Sequence, residues 1–162
     1  MSADCTEILE CSYSDAAHME ALVALLSAYI ADEMGGGLPL TPQEQRRLTD
    51  GLSQHPTAIV LLAKTGSVFS GMLVAFENFS TFSAKPMVNI HDLIVLKPFR
   101  GKGIGRLLMN ALTKKAEEKG CGRITLEVRK DNAVAQNLYR DLGFAEASPE
   151  MYYWRKALKA EN

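Results

Sequence analysis

Lys97-Pro98-Phe99-Arg100-Gly101-Lys102-Gly103-Ile104-Gly105-Arg106 is the stretch whose reading decides the fold. An apolar run, Leu93-Ile94-Val95-Leu96, leads into it. Out of it runs a helical pattern to Lys119, with Ile104, Leu107, Leu108, Ala111, Leu112 and Ala116 on one face. The order is therefore strand, glycine-rich turn, helix. Glycines let such a turn be tight and let a ligand approach the main chain. The helix that follows aims free N–H groups and the positive end of its dipole at whatever sits there. Lys97, Arg100, Lys102 and Arg106 are basic and no residue of the stretch is acidic. These features suit an anionic, phosphate-bearing ligand.

Two common phosphate loops are excluded. A Walker loop needs Gly-x4-Gly-Lys-Ser/Thr, which the chain lacks, and Gly101, Gly103 and Gly105 alternate too strictly for Gly-x-Gly-x-x-Gly. An ordinary basic turn is the other reading of such a loop. The string that fits is Arg-x-x-Gly-x-Gly, carried by Arg100, Gly103 and Gly105. It resembles the pyrophosphate loop of the GNAT superfamily of acyl-CoA-dependent N-acyltransferases. Downstream, Leu126-Glu127-Val128 precedes Asn132, Ala135, Leu138, Tyr139, Gly143 and Phe144 at the spacing Asn-x-x-Ala-x-x-Leu-Tyr-x-x-x-Gly-Phe. This resembles the second half of the same family's domain. The resemblance covers Val88 to Phe144, extends more faintly over the preceding strands, and is silent before residue 55.

Composition sets the outer bounds. Residues 1–162 read as a single domain, 47% hydrophobic and 23% charged, as expected of a soluble protein with a proper core. No apolar run approaches the ~18 residues of a membrane span, and the first residues lack the basic and apolar regions of a secretory signal. Cys5, Cys11 and Cys121 are odd in number and lack metal-ligand spacing, so reduced thiols in the cytoplasm, and no metal, are expected. Residues 1–60 carry nine acids against Arg46 and Arg47, which leaves the remainder basic. An acidic half at the acceptor entrance would suit a cationic amine; the same acids would equally serve to solvate helix faces. No basic cluster interleaved with aromatics points to nucleic acid.

The pattern predicts strands over 5–13, 57–64, 68–77, 88–96, 123–130 and 152–158. Helices are predicted from Ser14 or Asp15 to Met34, over 43–54, 104–119 and 131–142. The order β-α-α-β-β-β-α-β-α-β is α/β layering, with helices on a mixed sheet. The resemblance implies the GNAT fold, whose central strands splay apart to admit a pantetheine arm.

It also implies acetyl-CoA as cofactor and a division of labour. Main-chain N–H groups of Leu93, Ile94 and Val95 would polarise the thioester carbonyl. Arg100, Gly101, Lys102, Gly103, Ile104, Gly105 and Arg106 would hold the diphosphate, and Asn132 would touch the cofactor, although capping a helix is a sufficient role for it. Tyr139 would give a proton to the leaving thiolate. Glu127 and His91 are alternative general bases, with a water chain as a third route; a strand histidine is otherwise an ordinary core or surface residue. Asp92 would orient His91 or bind the incoming ammonium. Glu77 and Glu33, with Asp32, are candidate ammonium partners, though solvated loop acids account for them as well.

The function these readings imply is acetyl transfer from acetyl-CoA to a primary amine of a small polyamine-like or amino-acid-like molecule, by direct attack in a ternary complex. Acetylation of peptide or ribosomal-protein N-termini and a non-catalytic acyl-CoA-binding module are the alternatives. A homodimer is compatible with the sequence and not required by it.

Overall fold

The computed structural model describes residues 5–158. Residues 1–4 and 159–162 of the expected single domain lie outside the described residues. One sheet holds β1 (Thr6–Glu10), β2 (Ala58–Thr65), β3 (Val68–Ser80), β4 (Lys85–Val95) and β5 (Ile124–Leu126) in that order. Helices α1 (Ala16–Ile30) and α2 (Pro42–Gln54) precede β2, α3 (Ile104–Glu118) joins β4 to β5, and α4 (Ala133–Asp141) follows β5. The first four strands pair antiparallel and β4 pairs β5 in parallel, as a crossover through a helix requires. The mixed α/β architecture read from the sequence is therefore present. Among the described residues, no helix is long and apolar enough to cross a membrane.

Local chemistry starts the helices where the sequence places them. Asp15, rather than Ser14, caps α1, its Oδ1 accepting from the N–H groups of Ala17 (2.8 Å) and His18 (3.3 Å). Thr41 and Glu44 form a reciprocal capping box ahead of α2. The central strands bury both faces. Leu61, Ala63, Leu73, Ala75, Val88 and Ile90 pack against Ile104, Leu108 and Leu112 of α3. Val60, Leu62, Met72, Val74 and Ile94 pack against Leu22 and Leu25 of α1 and Leu52 of α2. That two-sided burial explains why β2 reads as a continuous apolar run rather than an alternating one.

One irregularity shapes the middle of the sheet. Val74 faces Asp92 and Ala75 faces Ile90, so His91 is an extra residue in β4. Its effect shows in the core: Ile90 belongs to the α3 side and Ile94, four residues on, to the α1 side. Pairing of β4 with β5 covers only Val88, Ile90 and the residue between them, and stops at the bulge. Beyond it, β4 continues alone on that edge. This is the expected splay, and it also explains why β5 has three residues where the sequence predicts eight.

The final predicted strand is not formed. Residues 145–158 carry no regular structure, and Tyr152, Tyr153 and Trp154 are exposed. Their aromatic, β-prone composition supplies propensity, but a strand exists only where a neighbour accepts its hydrogen bonds. The short β5 offers this segment no such ladder.

Candidate active site

The cleft lies where β4 leaves β5. Leu96 N–H donates to the Ser70 carbonyl of β3 at 2.9 Å. Main-chain groups alternate along a strand, so Ile94 N–H also faces β3, while Leu93 and Val95 N–H face the open edge. Of the three donors expected from sequence, two are thus directed into the splay. The third is committed to the sheet.

At the loop, Lys97–Phe99 make a single 3-10 turn and Gly103 caps α3. Gly101 and Gly103 have φ of +76° and +81°, and a Cβ at either would meet nothing within 4 Å. The conformation therefore demands glycine, and the space beside it is open. No side chain caps α3 and no acid occupies its first turn, so the N–H groups of Ile104, Gly105 and Arg106 point outward without an intrahelical acceptor. Gly105 has a different reason: a Cβ there would come within 3.2 Å of Leu138 on α4. Arg106 pairs with Asp141 of α4 at 2.9 Å, and Lys102 lies over the Phe99 ring at 5.2 Å. Arg100 is engaged away from the helix terminus, with Nε on the Val95 carbonyl and Nη2 on Asp32, both at 2.9 Å.

Tyr139 approaches from the α3 side, half-buried against the core and tilted over Phe144 at 5.9 Å. Burial, with the nearby Tyr29 phenol, pushes its hydroxyl up to about 12. A phenol so raised stays protonated at physiological pH, which suits it to donate a proton and not to accept one. Asn132 accepts from Ala135 N–H at 3.1 Å, the capping role the sequence allows.

The α1 side carries the acceptor candidates. A bulge turns both of its residues toward one face, which brings His91 and Asp92 together there. The His91 ring meets Phe76 edge-on at 4.8 Å, and Phe76 meets His55 at 4.7 Å. Burial raises the Asp92 carboxyl above the usual range, an effect only offset by His91. Glu127 is exposed directly after β5. Glu33 is exposed on the segment after α1. Glu77 is drawn elsewhere: it pairs with Lys119 at the end of α3 at 2.8 Å, on the opposite side of the sheet from Phe76. The sequence could not show this, because the pairing depends on how α3 lies across the sheet, which sets Lys119 beside β3.

Two residues at the cleft carry no sequence signal. Tyr29 looks like part of the apolar stripe of α1, yet its phenol lies in the field of Asp92, Arg129 and Asp32. Tyr29, Asp32, Val95, Leu96, Lys97 and Arg100 help to line a cavity of ≈ 290 Å³. Arg129 clamps Asp131 through two hydrogen bonds and donates to the Met34 carbonyl at 3.4 Å, bridging the segments after β5 and after α1. Cys11 is buried, with its thiol pushed up to about 11, and so reads as a packing residue.

A bulged, half-unpaired β4 runs into an uncapped, glycine-rich helix terminus, which defines an α/β protein with an open edge beside β4 and a terminus suited to an anion. The sequence model of the Acetyltransferase (GNAT) family matches residues 12–144, and the chain belongs to that family. L-ornithine N5-acetyltransferase NATA1 of Arabidopsis thaliana is 37% identical over 76 residues, 47% of this chain and 33% of that one. Thialysine N-epsilon-acetyltransferase of Mus musculus is 30% identical over 108 residues, 62% of this chain and 63% of that one. The chain thus matches less than two thirds of the length of these curated relatives. The structure of AAC(6')-Iy in complex with the bisubstrate analog CoA-S-monomethyl-acetylneamine superimposes with a TM-score of 0.75 over 94% of this chain and 99% of that one, at 18% identity.

Proposed function

We propose that the chain transfers the acetyl group of acetyl-CoA to a primary amine of a small, cationic molecule, polyamine-like or amino-acid-like. The observation that carries this reading is the open edge of β4. Leu93 and Val95 N–H face the gap, Tyr139 flanks it on the α3 side, and Asp92 flanks it on the α1 side.

The loop residues fit a diphosphate: three free N–H groups, the helix dipole, Lys102 and a Cβ-free approach at Gly103. When bound, acetyl-CoA supplies an activated thioester. Val95 or Leu93 N–H then stabilises negative charge on the carbonyl oxygen as the amine attacks. A C–N bond would form as the C–S bond breaks, with Tyr139 placed to give its proton to the departing sulfur. Asp92 draws the ammonium to the gap. The ammonium would lose two protons: one to His91, to Glu127 or through water to solvent, and the second, as the amide forms, to restore the Tyr139 phenol. A phenol held protonated by burial is suited to the acid role only, which separates it from the base.

The Arg129–Met34 bridge over the α1 side favours a small amine over a peptide, which would need an open groove. The names of the relatives, acting on ornithine and thialysine, point the same way. The test is acetyl-CoA consumption by the full chain over polyamines, diamino acids, aminoglycosides and short peptides. Turnover with a small amine is expected. Turnover with peptides alone would replace this reading with N-terminal acetylation, and coenzyme A binding without any turnover would leave a binding module.

A further inference from the structure

Three rings cross the α1 face of the sheet in a row. His55, between α2 and β2, meets Phe76 of β3 at 4.7 Å, and Phe76 meets His91 of β4 at 4.8 Å, both edge-on. Phe76 is half-buried over the α1-side core, while both imidazoles are exposed. Phe76 pairs with Ala58 of β2 and with Asn89 of β4, so the imidazoles flank the phenyl from the strands on either side of it. His91 stands at the end where Asp92 and the β4 gap lie. His55 marks the other end and takes no part in the transfer chemistry.

The main chain fixes His55. Its N–H donates to the Leu52 carbonyl at 3.2 Å, and its carbonyl accepts from Ala58 N–H at 3.4 Å. The ring is fixed as well. Nδ1 accepts from Thr57 N–H at 3.3 Å and has the Thr57 hydroxyl 3.4 Å away. A main-chain N–H can only donate, so the lone pair of Nδ1 is engaged and the proton of the neutral ring sits on Nε2. Among the described residues Nε2 has no hydrogen-bond partner. The nitrogen that His55 presents is therefore a donor and not an acceptor.

That polarity sorts acceptor molecules. An ammonium brings only N–H donors; it is drawn to Asp92 and finds nothing to bond at His55. A carboxylate brings only acceptors and matches Nε2–H in a charge-assisted hydrogen bond. Between the two ends the phenyl offers an apolar surface to a short methylene chain. A diamine satisfies one end of the row, and a diamino acid satisfies both.

We propose that His55 is a specificity-determining residue: its Nε2–H holds the carboxylate of the acceptor, whose methylene chain lies on Phe76 and whose side-chain amine enters the β4 gap beside Asp92. The acceptor is then a diamino acid rather than a polyamine. This rests on the reading that the gap acetylates a small amine.

The test is acetyl-CoA consumption by the full chain with L-ornithine and L-lysine against 1,4-diaminobutane and 1,5-diaminopentane, which lack only the carboxylate. The parent should favour each diamino acid by about ten-fold or more in kcat/KM, the size of one hydrogen bond to a charged group. His55→Ala should raise KM for the diamino acids by a similar factor, and leave their kcat and the diamine kinetics within about two-fold of the parent. His55→Gln, whose amide N–H can reach the place of Nε2, should restore much of the preference. An equal loss for diamines and diamino acids in His55→Ala would show that the ring only supports the turn into β2, and overturns the proposal. So does a parent that prefers the diamines, or a preference for diamino acids that survives His55→Ala. Turnover of another small amine with none of these four also overturns it and spares the proposed function. Turnover of no small amine removes the proposed function itself, and this proposal with it.

Discussion

His91 and Asp92 are neighbours in sequence and yet share one face of the sheet, because His91 is the extra residue of a bulge that pairs Val74 with Asp92 and Ala75 with Ile90. A regular strand would have sent them to opposite faces. The bulge therefore puts an imidazole beside a partly buried carboxylate, with the β4 edge opening immediately beyond them.

The cost of that carboxylate is measurable. Burial raises the Asp92 pKa, so its favourable contribution to stability is complete below the unfolded value and is lost as pH rises through the folded one. At pH 7 the charge is a burden. Asp92→Asn should unfold at a higher denaturant midpoint than the parent at pH 7, with the difference closing near about pH 3, where both side chains are neutral. The same variant should raise KM for a cationic amine by about ten-fold or more, as expected for a lost charged partner. Equal midpoints at pH 7 would show that the carboxylate is not desolvated.

His91→Ala and Glu127→Ala test the base. If either group takes the amine proton directly, its variant should lose the acidic limb of the pH profile of kcat/KM and fall by about 100-fold at neutral pH. An unaltered limb in both variants would assign the proton to water.

Tyr139→Phe should lower kcat by about 100-fold while leaving the dissociation constant of acetyl-CoA within about two-fold. With its hydroxyl pushed up to about 12, Tyr139 should produce no alkaline inflection below about pH 10, the reference value for a free phenol. An inflection near neutrality that vanishes in the phenylalanine variant would contradict the assignment.

Gly103 separates strain from charge. At φ +81°, Gly103→Ala should cost about 1–2 kcal/mol of stability and keep measurable coenzyme A binding. Gly103→Glu carries the same strain plus a carboxylate beside the diphosphate, and should weaken binding by about 100-fold beyond the alanine variant. Similar affinities in the two variants, by calorimetry, would move the diphosphate off this terminus.

Asp32 should register in acid. Met34 N–H, and next Arg100, hold its carboxyl below the ordinary value. Its contribution is present above the unfolded pKa and is lost as pH falls through the folded one. Asp32→Asn should thus be less stable than the parent at pH 6, with the gap narrowing below about pH 4. Parallel urea titrations at the two pH values provide the check.

Much of this protein is legible in its residues because the signals are local. The loop string, the α3 stripe, the start of α1 at Ser14 or Asp15, and the spacing from Asn132 to Phe144 each act within a few positions, so chain order alone exposes them. Tyr152–Leu158 misleads for the converse reason: its composition is that of a strand, but pairing is supplied by another segment, and β5 is too short to provide it. Tyr29 hides because a phenol on an apolar helical stripe looks like core until the opposing wall is in place. Glu77 looked available only while the path of α3 across the sheet, which brings Lys119 to it, was unknown.

By itself the sequence determined the layered α/β order, the glycine positions that a left-handed turn requires, and the basic, acid-free character of the loop, since all follow from backbone sterics and charge over short spans. The tertiary structure alone decided which β4 amides stay free, that His91 and Asp92 look the same way, and that Arg100 reaches Asp32 across sixty-eight positions of chain. Those outcomes depend on strand register and on contacts distant in sequence, and no local pattern encodes either.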